Sequence, residues 1–373
     1  MKILHTADWH LGKTLKGQNL LDDQKFILDE IFKIVDDEKP DALLIAGDVY
    51  DRGVPPAEAV ELFNETLTKL SEKKIPTLLI AGNHDSATRL NFGSKIFARQ
   101  NIFIAAKVED EPKTVVLEDD FGEVYFSLIP FFEPGEIKAK FFDEDVERPT
   151  YNEANRFYVE LARQEIPAGK RSVAVAHVFL TDGKESDSER KIVGTLANVD
   201  AKIFSAYNYV ALGHLHRPQK FYSGSPLKYS FDEAEQKKSV TLVELDAHGE
   251  IQLEKIPLTP RRDVRVVSGT FDELIKISRT DDYICARLNE RVINAQDKLA
   301  WTFPNLLSVE VAFQKNSAEE NSAGQFGAGI STLDYFADFF KAQTGEDLRD
   351  DYRAAVGDFL DELHKTGYEK SRG

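Results

Sequence analysis

Two short runs of the sequence share the five residues Leu-Leu-Ile-Ala-Gly, at positions 43–47 and 78–82, and polar residues follow each run. A short, wholly apolar run that ends in glycine is typical of a parallel strand buried on both faces. Between the two runs, apolar residues recur at helical spacing from Ala59 to Leu70. The pattern predicts a strand–helix–strand unit. A helical-repeat protein would need more copies at the same interval of roughly 35 residues, and no third copy follows.

Three other apolar runs, KILHTADWH, SVAVAHV and YVALGHLH, also end in polar residues. The residues at all five predicted strand ends are Asp8, His10, Asp48, Asn83, His84, Asp85, His177, His214 and His216. The carboxyl ends of parallel strands meet at one edge of a sheet, where α/β proteins bind their ligands. One histidine at a strand end is usually structural, but five of the eight histidines lie at such ends. Together they predict a functional site.

The residue types in this set favour a metal centre. Histidine nitrogens combined with aspartate and asparagine oxygens suit Mn, Fe or Zn in an open site. The set is larger than one ion needs, whereas two ions that share a carboxylate would use it to bind a phosphate and activate water. The chain has 47 basic and 64 acidic side chains, a formal charge of −17, which by itself argues against nucleic-acid binding. Bound metal ions would make the pocket locally cationic.

The segment ADWHLGKT, residues 7–14, nearly matches a nucleotide-binding P-loop and follows a predicted strand. A P-loop wraps backbone N–H groups around phosphates, so its interior favours small residues. Here Asp8 and Trp9 lie in the interior, and an aspartate there would repel a nucleotide. We therefore reject the P-loop interpretation. Lys13 and Lys16 are interpreted as solvated loop charges or, as the weaker alternative, as substrate contacts.

The candidate residues form five motifs: Asp-x-His at 8–10, Gly-Asp-x-x-Asp-Arg at 47–52, Gly-Asn-His-Asp at 82–85, the single His177, and Gly-His-x-His at 213–216. Their types and order resemble the calcineurin-like metallophosphoesterases. Longer stretches, such as HTADWHLGKTL and GNHDSATRLNFGS, are similar to the bacterial SbcD family of nucleases, strongly over residues 1–260 and weakly beyond. The resemblance implies an α/β fold: a four-layer sandwich of two mixed β-sheets flanked by helices, with a small α/β cap domain and a C-terminal helical hairpin.

The resemblance also implies a role for each site residue. The first of two metal ions would be held by Asp8, His10, Asp48 and His216, and the second by Asp48, Asn83, His177 and His214. Asp48 would bridge the ions, His84 would give a proton to the leaving oxygen, and Asp85 would orient His84. The family prefers Mn²⁺, although these ligand types also suit iron or zinc. Asp51 differs from many archaeal and eukaryotic relatives, which have a catalytic histidine there, so the resemblance assigns it no role.

The length of the chain allows two or three domains. We expect a nuclease domain at 1–260, a cap at 261–313, a flexible linker at 314–330 and a helical hairpin at 331–373. The basic segment TPRRDVR would connect the first two. The resemblance implies that the cap contacts DNA and that the hairpin binds a coiled-coil ATPase of the SbcC type. From the residues alone, the cap could equally be a packing module, and the hairpin could fold back on the body.

A homodimer is also expected from the resemblance, because the family pairs through helices near the active site. Leu90, Phe92 and Phe97 are the candidate apolar contacts, with ordinary packing against the sheet as the alternative. The single Cys285, and the lack of a signal peptide or membrane-spanning run, indicate a cytoplasmic protein.

The resemblance implies the activity of a Mn²⁺-dependent DNA nuclease, both a 3′–5′ exonuclease on duplexes and an endonuclease on single strands and hairpins. It would act with the ATPase in DNA end processing, recombination and repair, and the ATPase would use the ATP. One alternative is a phosphatase or cyclic-nucleotide phosphodiesterase on the same core, which the predicted cap and hairpin disfavour. Another is a non-catalytic scaffold, which the full set of motif residues disfavours.

Overall fold

The computed structural model describes residues 1–181 and 198–311, together with 333, 336–337, 340–341, 347–357 and 359. Its strands are β1 Lys2–Thr6, β2 Thr14–Leu15, β3 Gln18–Asn19, β4 Ala42–Ala46, β5 Thr77–Ile80, β6 Ile102–Ala105, β7 Lys113–Asp119, β8 Gly122–Ile129, β9 Arg171–His177, β10 Phe179–Leu180, β11 Asn198–Val199, β12 Tyr209–Gly213, β13 Ser239–Leu245, β14 Ile251–Pro257, β15 Val264–Gly269, β16 Tyr283–Leu288 and β17 Leu306–Val311. Its α-helices are α1 Leu21–Glu38, α2 Ala57–Lys73, α3 Ala87–Leu90, α4 Ser94–Phe97, α5 Pro134–Phe141, α6 Tyr151–Gln164, α7 Phe271–Leu274 and α8 Ala295–Leu299. The chain divides into two units, Met1–Ala312 and Phe313–Gly373.

The two repeated apolar runs form neighbouring parallel strands, as predicted. β4 and β5 pair with Leu44 opposite Leu78 and Ala46 opposite Ile80, and α2 connects them. They lie inside a six-stranded mixed sheet of order β14-β13-β1-β4-β5-β6. Every residue of both strands is buried, which explains why all of them except Thr77 are apolar rather than alternating with polar residues.

A second mixed sheet contains four strands in the order β12-β9-β8-β7. β8, β9 and β12 run parallel, and β7 is antiparallel to β8. β9 ends at His177, which lies opposite Gly213 at the end of β12. The histidine-bearing ends of both predicted strands therefore lie side by side.

The two mixed sheets pack face to face, and each has helices on its outer face. The apolar core between them combines Ile3, Leu44 and Ile80 of the first sheet with Phe126 and Val175 of the second. Another core joins the outer face of the six-stranded sheet to α1 and α2, and a third joins the four-stranded sheet to α5 and α6. The predicted four-layer sandwich of two mixed sheets flanked by helices is confirmed.

Local sequence signals explain two of the flanking helices. α2 buries Leu62, Phe63 and Leu67, the apolar stripe whose spacing predicts the helix. α6 begins with a capping box: the Thr150 hydroxyl accepts from the Glu153 N–H at 3.2 Å, and the Glu153 carboxylate accepts from the Thr150 N–H at 2.8 Å. Both backbone donors would otherwise lack a partner at the start of the helix.

Residues 264–311 form a three-stranded parallel sheet with its own apolar core. The order is β15-β16-β17, and Leu274, Leu299 and Phe303 fill the core beside α7 and α8. The two helices and two strands predicted in this region are present. The segment TPRRDVR, residues 259–265, is predicted to connect the first two domains as a linker. This prediction is wrong for its last two residues, because Val264 and Arg265 belong to β15. The run of charged residues around them obscures the strand's apolar alternation.

Of the three apolar residues predicted to form a dimer contact, Phe92 is the most exposed. Its side chain is 83% exposed, and the nearby Ile96 is 68% exposed. Leu90, by contrast, is 4% exposed and belongs to the core beneath α1 and α2, against which Phe97 also packs. The prediction for Leu90 is therefore wrong, since its side chain is already used inside the subunit.

The predicted linker at 314–330, and most of the predicted hairpin at 331–373, lie outside the described residues. Within the described part of the hairpin, residues 350–357 are helical, and Tyr352 and Phe359 are 54% and 60% exposed. Among all the helices that the structure describes, none is long and apolar enough to cross a membrane.

His5 is a buried titratable group in the interface between the two sheets. It shares a face of β1 with the core residue Ile3, and its Nδ1 is 2.9 Å from the Tyr209 hydroxyl of β12. Burial lowers the pKa of His5 to about 3, against about 6.5 in an unfolded chain. The unfolded state therefore binds this proton first. The contribution of neutral His5 to the unfolding free energy is complete above pH ~6.5 and falls as the pH decreases toward 3.

We predict that lowering the pH from about 7.5 to about 5.5 reduces the unfolding free energy of the wild type by about 1.4 kcal/mol more than that of His5→Asn. Asparagine keeps a polar partner for the Tyr209 hydroxyl but does not titrate in this range. Urea unfolding of both proteins at both pH values measures the difference. Equal acid sensitivity of the two proteins would show that His5 does not contribute to it.

Candidate metal centre

The polar residues predicted at strand ends converge on one edge of the sandwich. From the six-stranded sheet come Asp8 and His10 after β1, Asp48 after β4, and Asn83, His84 and Asp85 after β5. From the four-stranded sheet come His177 at the end of β9 and His214 and His216 after β12. His177 Nδ1 donates to the Ala46 carbonyl oxygen at 2.9 Å, so the two sheets contact each other directly at this edge.

The close approach of the strand ends explains the glycines that follow the apolar runs. A Cβ atom on Gly213 would lie 1.9 Å from the carbonyl oxygen of Ala46. One on Gly82 would lie 2.2 Å from Asp48 Oδ1. Both separations are far shorter than van der Waals contact, so any larger residue would push the sheets or loops apart.

Four of the candidate ligands have a left-handed backbone. The φ angles are 55° at Asp8, 46° at His10, 50° at Asp48 and 103° at His214. Such conformations cost roughly 1–3 kcal/mol each for residues other than glycine, and they cluster at functional sites. Backbone hydrogen bonds hold the loops in this conformation; the His10 N–H, for example, donates to the Asp48 carbonyl oxygen at 2.9 Å.

One carboxylate oxygen of Asp48 lies between histidines from the two sheets. Its Oδ2 is 3.4 Å from His177 Nε2 and 3.6 Å from His10 Nε2. Its Oδ1 accepts a hydrogen bond from the His84 backbone N–H at 2.8 Å. Ligand atoms of Asp8, Asp48 and His177 lie within 4.8 Å of one another, and so do those of His10, Asp48 and His84. Asp48 belongs to both groups.

Asn83 joins two histidines on one side of Asp48. Its Oδ1 is 3.0 Å from His177 Nε2 and 3.1 Å from His214 Nδ1. Because His177 Nδ1 faces the Ala46 carbonyl oxygen, which can only accept, Nδ1 carries the ring proton. In the neutral ring, Nε2 then presents a lone pair toward the oxygens of Asn83 and Asp48. Three acceptors that converge in this way can accommodate a cation between them, either a proton or a metal ion.

Electrostatics fit a divalent metal at this position. Burial alone would lower the pKa of His177, but the carboxylates of Asp48 and Asp8 outweigh burial and raise it to about 9. Burial lowers the pKa of His214 to about 3 and that of His10 well below its usual value, which keeps both rings in the neutral form that binds metals. A metal ion would take the place of the His177 proton. The residues present therefore fit the divalent ions that their types predict.

Asp8 lies where the loop after β1 meets the end of β12. Its Oδ1 accepts a hydrogen bond from the His214 backbone N–H at 2.9 Å and lies 3.9 Å from His177 Nδ1. This carboxylate is fully buried, so water does not screen its charge from the surrounding histidines. The structure brings Asp8 into the cluster, and its assignment to the first of two ions stays a prediction.

His216 connects His10 to a buried ion pair that the strand-end pattern does not predict. His216 Nε2 is 3.0 Å from His10 Nε2, and its Nδ1 is 3.1 Å from Glu233 Oε1. The other Glu233 oxygen accepts from Lys238 Nζ at 2.6 Å. Glutamate and lysine are almost never fully buried unless paired, and these two are 0% and 5% exposed. They lie outside the strand ends, so only the three-dimensional contact reveals them.

Gln24 is a second residue that the sequence does not predict at the site. It lies on the buried face of α1. Its side chain donates to the His10 carbonyl oxygen at 2.7 Å and accepts from the Gly12 N–H at 2.9 Å. Gln24 therefore satisfies the backbone of the loop that carries His10. Nothing in the amphipathic pattern of the helix distinguishes this glutamine from a surface one.

Asp51, rather than Asp85, orients the ring of His84. His84 Nδ1 donates to the Asp51 carbonyl oxygen at 2.7 Å, and the Asp51 carboxylate accepts from Lys13 Nζ at 2.8 Å. The prediction that Asp85 orients His84 is wrong, because the ring nitrogen already has this backbone partner. The solvated interpretation of Lys13 is also wrong, since its side chain is 13% exposed and ion-paired.

Asp85 holds together the loops that follow β4 and β5. Its carboxylate accepts from the backbone N–H groups of Val49 at 3.1 Å, Tyr50 at 2.9 Å and Gly82 at 2.9 Å. Burial and the charge of Asp48 raise the pKa of this carboxyl above its usual value, although the three donors oppose the shift. Asp48 in turn accepts from the backbone of the loop after β5. Each loop thus positions the aspartate of the other.

Comparisons with known proteins show the family of the chain. The sequence profile of the family described as calcineurin-like phosphoesterase matches residues 1–218, a range that contains all the predicted metal ligands. The protein named as the SbcD subunit of the SbcCD nuclease from Staphylococcus epidermidis is 36% identical over 323 residues, covering 83% of this chain and 85% of that protein. The protein of the same name from Staphylococcus saprophyticus is 34% identical over 365 residues, covering 93% and 94%. The chain therefore belongs to the calcineurin-like phosphoesterases and, within them, to the SbcD family.

Proposed function

We propose that this protein is a Mn²⁺-dependent DNA nuclease with two metal ions at the shared edge of its two sheets. The observation that carries the proposal is the position of Asp48 Oδ2, which lies 3.4 Å from His177 Nε2 and 3.6 Å from His10 Nε2. Relatives named as parts of a nuclease support DNA as the substrate. The protein would be a 3′–5′ exonuclease on duplexes and an endonuclease on single strands and hairpins, in DNA end processing, replication, recombination and repair.

In this proposal the first ion is held by Asp8, His10, Asp48 and His216, and the second by Asp48, Asn83, His177 and His214. Ions held there would supply positive charge for the scissile phosphate and would activate water for the hydrolysis. Positive charge is needed because the chain carries a formal charge of −17, and a polyanion would otherwise be repelled. Asp48 would help to hold both ions, since its Oδ2 lies near a histidine of each proposed set.

Two further side chains act on the substrate. Because His84 Nδ1 donates to the Asp51 carbonyl oxygen, Nε2 is the ring nitrogen left for the substrate. When the ring is doubly protonated, Nε2 also carries a proton and can give it to the leaving oxygen. Proton donation of this kind contributes about 10²–10⁴ in rate. Lys13 is held by the Asp51 carboxylate, and its charge acts on His10 and His216. We assign Lys13 to a phosphate next to the scissile one.

We predict that His84→Gln keeps two bound Mn²⁺ ions per chain while its cleavage rate falls at least about 100-fold, because the variant lacks only the proton donor. Asp48→Asn should lose metal, since both ions share that carboxylate. Metal content is measured by mass spectrometry, and cleavage by single-turnover assays on end-labelled duplex and hairpin DNA.

His248→Gln is the matched control, because His248 is exposed and lies in the turn between β13 and β14; it should keep both metal and cleavage. Loss of metal from His84→Gln would make His84 a ligand and contradict its assigned role. Release of phosphate from mononucleotides by the wild type, without any DNA cutting, would replace the nuclease proposal with a phosphatase.

We further propose that residues 261–313 form a DNA-contacting cap and that residues 331–373, behind the linker at 314–330, form a hairpin that binds an SbcC-type coiled-coil ATPase. Apolar residues of the predicted hairpin are exposed: Phe336 is 39%, Tyr352 54% and Phe359 60% accessible. Exposed apolar side chains at helical spacing suit a partner surface. The single cysteine, Cys285, is buried, and we place the complex in the cytoplasm.

Removal of residues 314–373 should abolish co-purification with the ATPase but leave Mn²⁺-dependent cleavage of short single-stranded DNA, because all the proposed ligands lie before residue 217. The double variant Tyr352→Asp/Phe359→Asp should weaken co-purification as well, by placing charge on the proposed surface. A truncated protein that still binds the ATPase at full strength would contradict the hairpin assignment.

We also propose a homodimer that buries Phe92 and Ile96, which are 83% and 68% exposed in the single chain. Phe92→Glu should raise the dimer dissociation constant at least about tenfold, because it places a charge in an apolar contact. Ile293→Glu is the matched control, since Ile293 is 81% exposed on the three-stranded-sheet region. Sedimentation equilibrium measures the dimer dissociation constant of the wild type, Phe92→Glu and Ile293→Glu. A wild type that stays monomeric at every concentration, or equal weakening by both variants, would contradict this interface.

A further inference from the structure

We propose that the buried pair Glu233–Lys238 positions His216 for metal binding, so that it tunes the affinity of the ion held by His10 and His216. This inference rests on the two-ion site proposed above. Glu233 ends a 3₁₀ helix, Phe231–Glu233, and Lys238 immediately precedes β13. Neither residue is among the proposed metal ligands, and both contact His216, so they are positioning residues that act through it.

The contact with Glu233 determines which nitrogen of His216 faces the metal. Glu233 Oε1 lies 3.1 Å from His216 Nδ1, and an ionised carboxylate only accepts hydrogen bonds, so Nδ1 carries the proton. His216 Nε2 therefore presents its lone pair on the side of His10, whose Nε2 is 3.0 Å away. A carboxylate behind a ligating histidine fixes the ring orientation and makes the nitrogen a stronger ligand.

Lys238 holds both the carboxylate and the ligand's own backbone. Its ammonium group lies 2.6 Å from Glu233 Oε2 and 2.9 Å from the His216 carbonyl oxygen. Further contacts go to Gln236 Oε1 at 2.8 Å and to the Ser225 hydroxyl at 2.9 Å. One buried cation thus connects Glu233 to the backbone of His216. Displacement of either the carboxylate or the loop would disturb the same contacts.

The charge of the pair is balanced, which allows it to be buried. An ionised glutamate at 0% exposure would be strongly destabilising without a partner, and removal of one member of a buried pair leaves the other charge uncompensated. The Tyr229 backbone N–H also donates to Glu233 Oε2 at 3.3 Å. Replacement of both charged residues by neutral ones of similar size should therefore restore stability but not the carboxylate's effect on His216.

The test is a Mn²⁺ titration of the full-length protein, followed by the electron paramagnetic resonance signal of free Mn²⁺. Glu233→Gln keeps the size of the side chain but loses its charge, and should weaken one of the two bound ions by about 10–100-fold while the other is unchanged. The double variant Glu233→Gln/Lys238→Met should show the same weakened ion with a urea-unfolding midpoint closer to that of the wild type. If Glu233→Gln does not fold, the double variant carries the test.

Asp119→Asn is the matched control, because Asp119 forms a largely buried pair with Arg171 at 2.5 Å, and Arg171 begins β9 at the opposite end from His177. It should lower the unfolding midpoint and leave both Mn²⁺ affinities unchanged. Wild-type affinity for both ions in Glu233→Gln, or equal weakening in Asp119→Asn, would overturn the proposal. A wild type that binds two Mn²⁺ ions without cutting DNA would refute the proposed nuclease function and leave this inference intact.

Discussion

The exchange of hydrogen bonds between the loops after β4 and β5 fixes the position of the central carboxylate. Asp48 accepts from the backbone of the second loop, and Asp85 accepts from three backbone N–H groups, two of them in the first loop. Because the strands are parallel neighbours, both loops leave the sheet at the same edge. Asp48 Oδ2, which the hydrogen bond from the second loop leaves free for a ligand, is thereby held near two histidines before any ligand binds. An efficient site needs such preorganisation.

The rest of the site depends on how closely the second sheet approaches this point. The end of β12 comes so near to β4 that a Cβ on Gly213 would overlap the Ala46 carbonyl oxygen. The same carbonyl fixes the ring of His177, so one backbone group sets both the spacing of the sheets and the direction of a ligand. Left-handed backbone at Asp8, Asp48 and His214 has an energetic cost that the surrounding core compensates. A change in how the two sheets pack at this edge would therefore also change the positions of the candidate ligands.

Strand ends could be predicted from the sequence because buried parallel strands are apolar throughout, and a polar residue after such a run marks the sheet edge. That reasoning brings Asp48, Asn83 and His177 to one place, where the structure also has them. It also brings Asp85 to this edge, but the role that the resemblance implied for Asp85 is wrong, because its carboxylate binds backbone groups that no side-chain pattern reveals. The strand-end reasoning misses Glu233 and Lys238, which meet only in the folded chain. The error at Leu90 has a similar cause, since an apolar residue in a short helix carries no mark of the face it will occupy.

The positions of the ions test the central claim most directly. Crystals of the protein soaked in Mn²⁺ and measured at the manganese absorption edge would show each ion as a peak in the anomalous difference map. The account predicts two peaks about 3.5–4 Å apart, on either side of Asp48 Oδ2, one beside His10 and His216 and the other beside Asn83 and His177. A single peak, or two peaks that do not share Asp48, would contradict it.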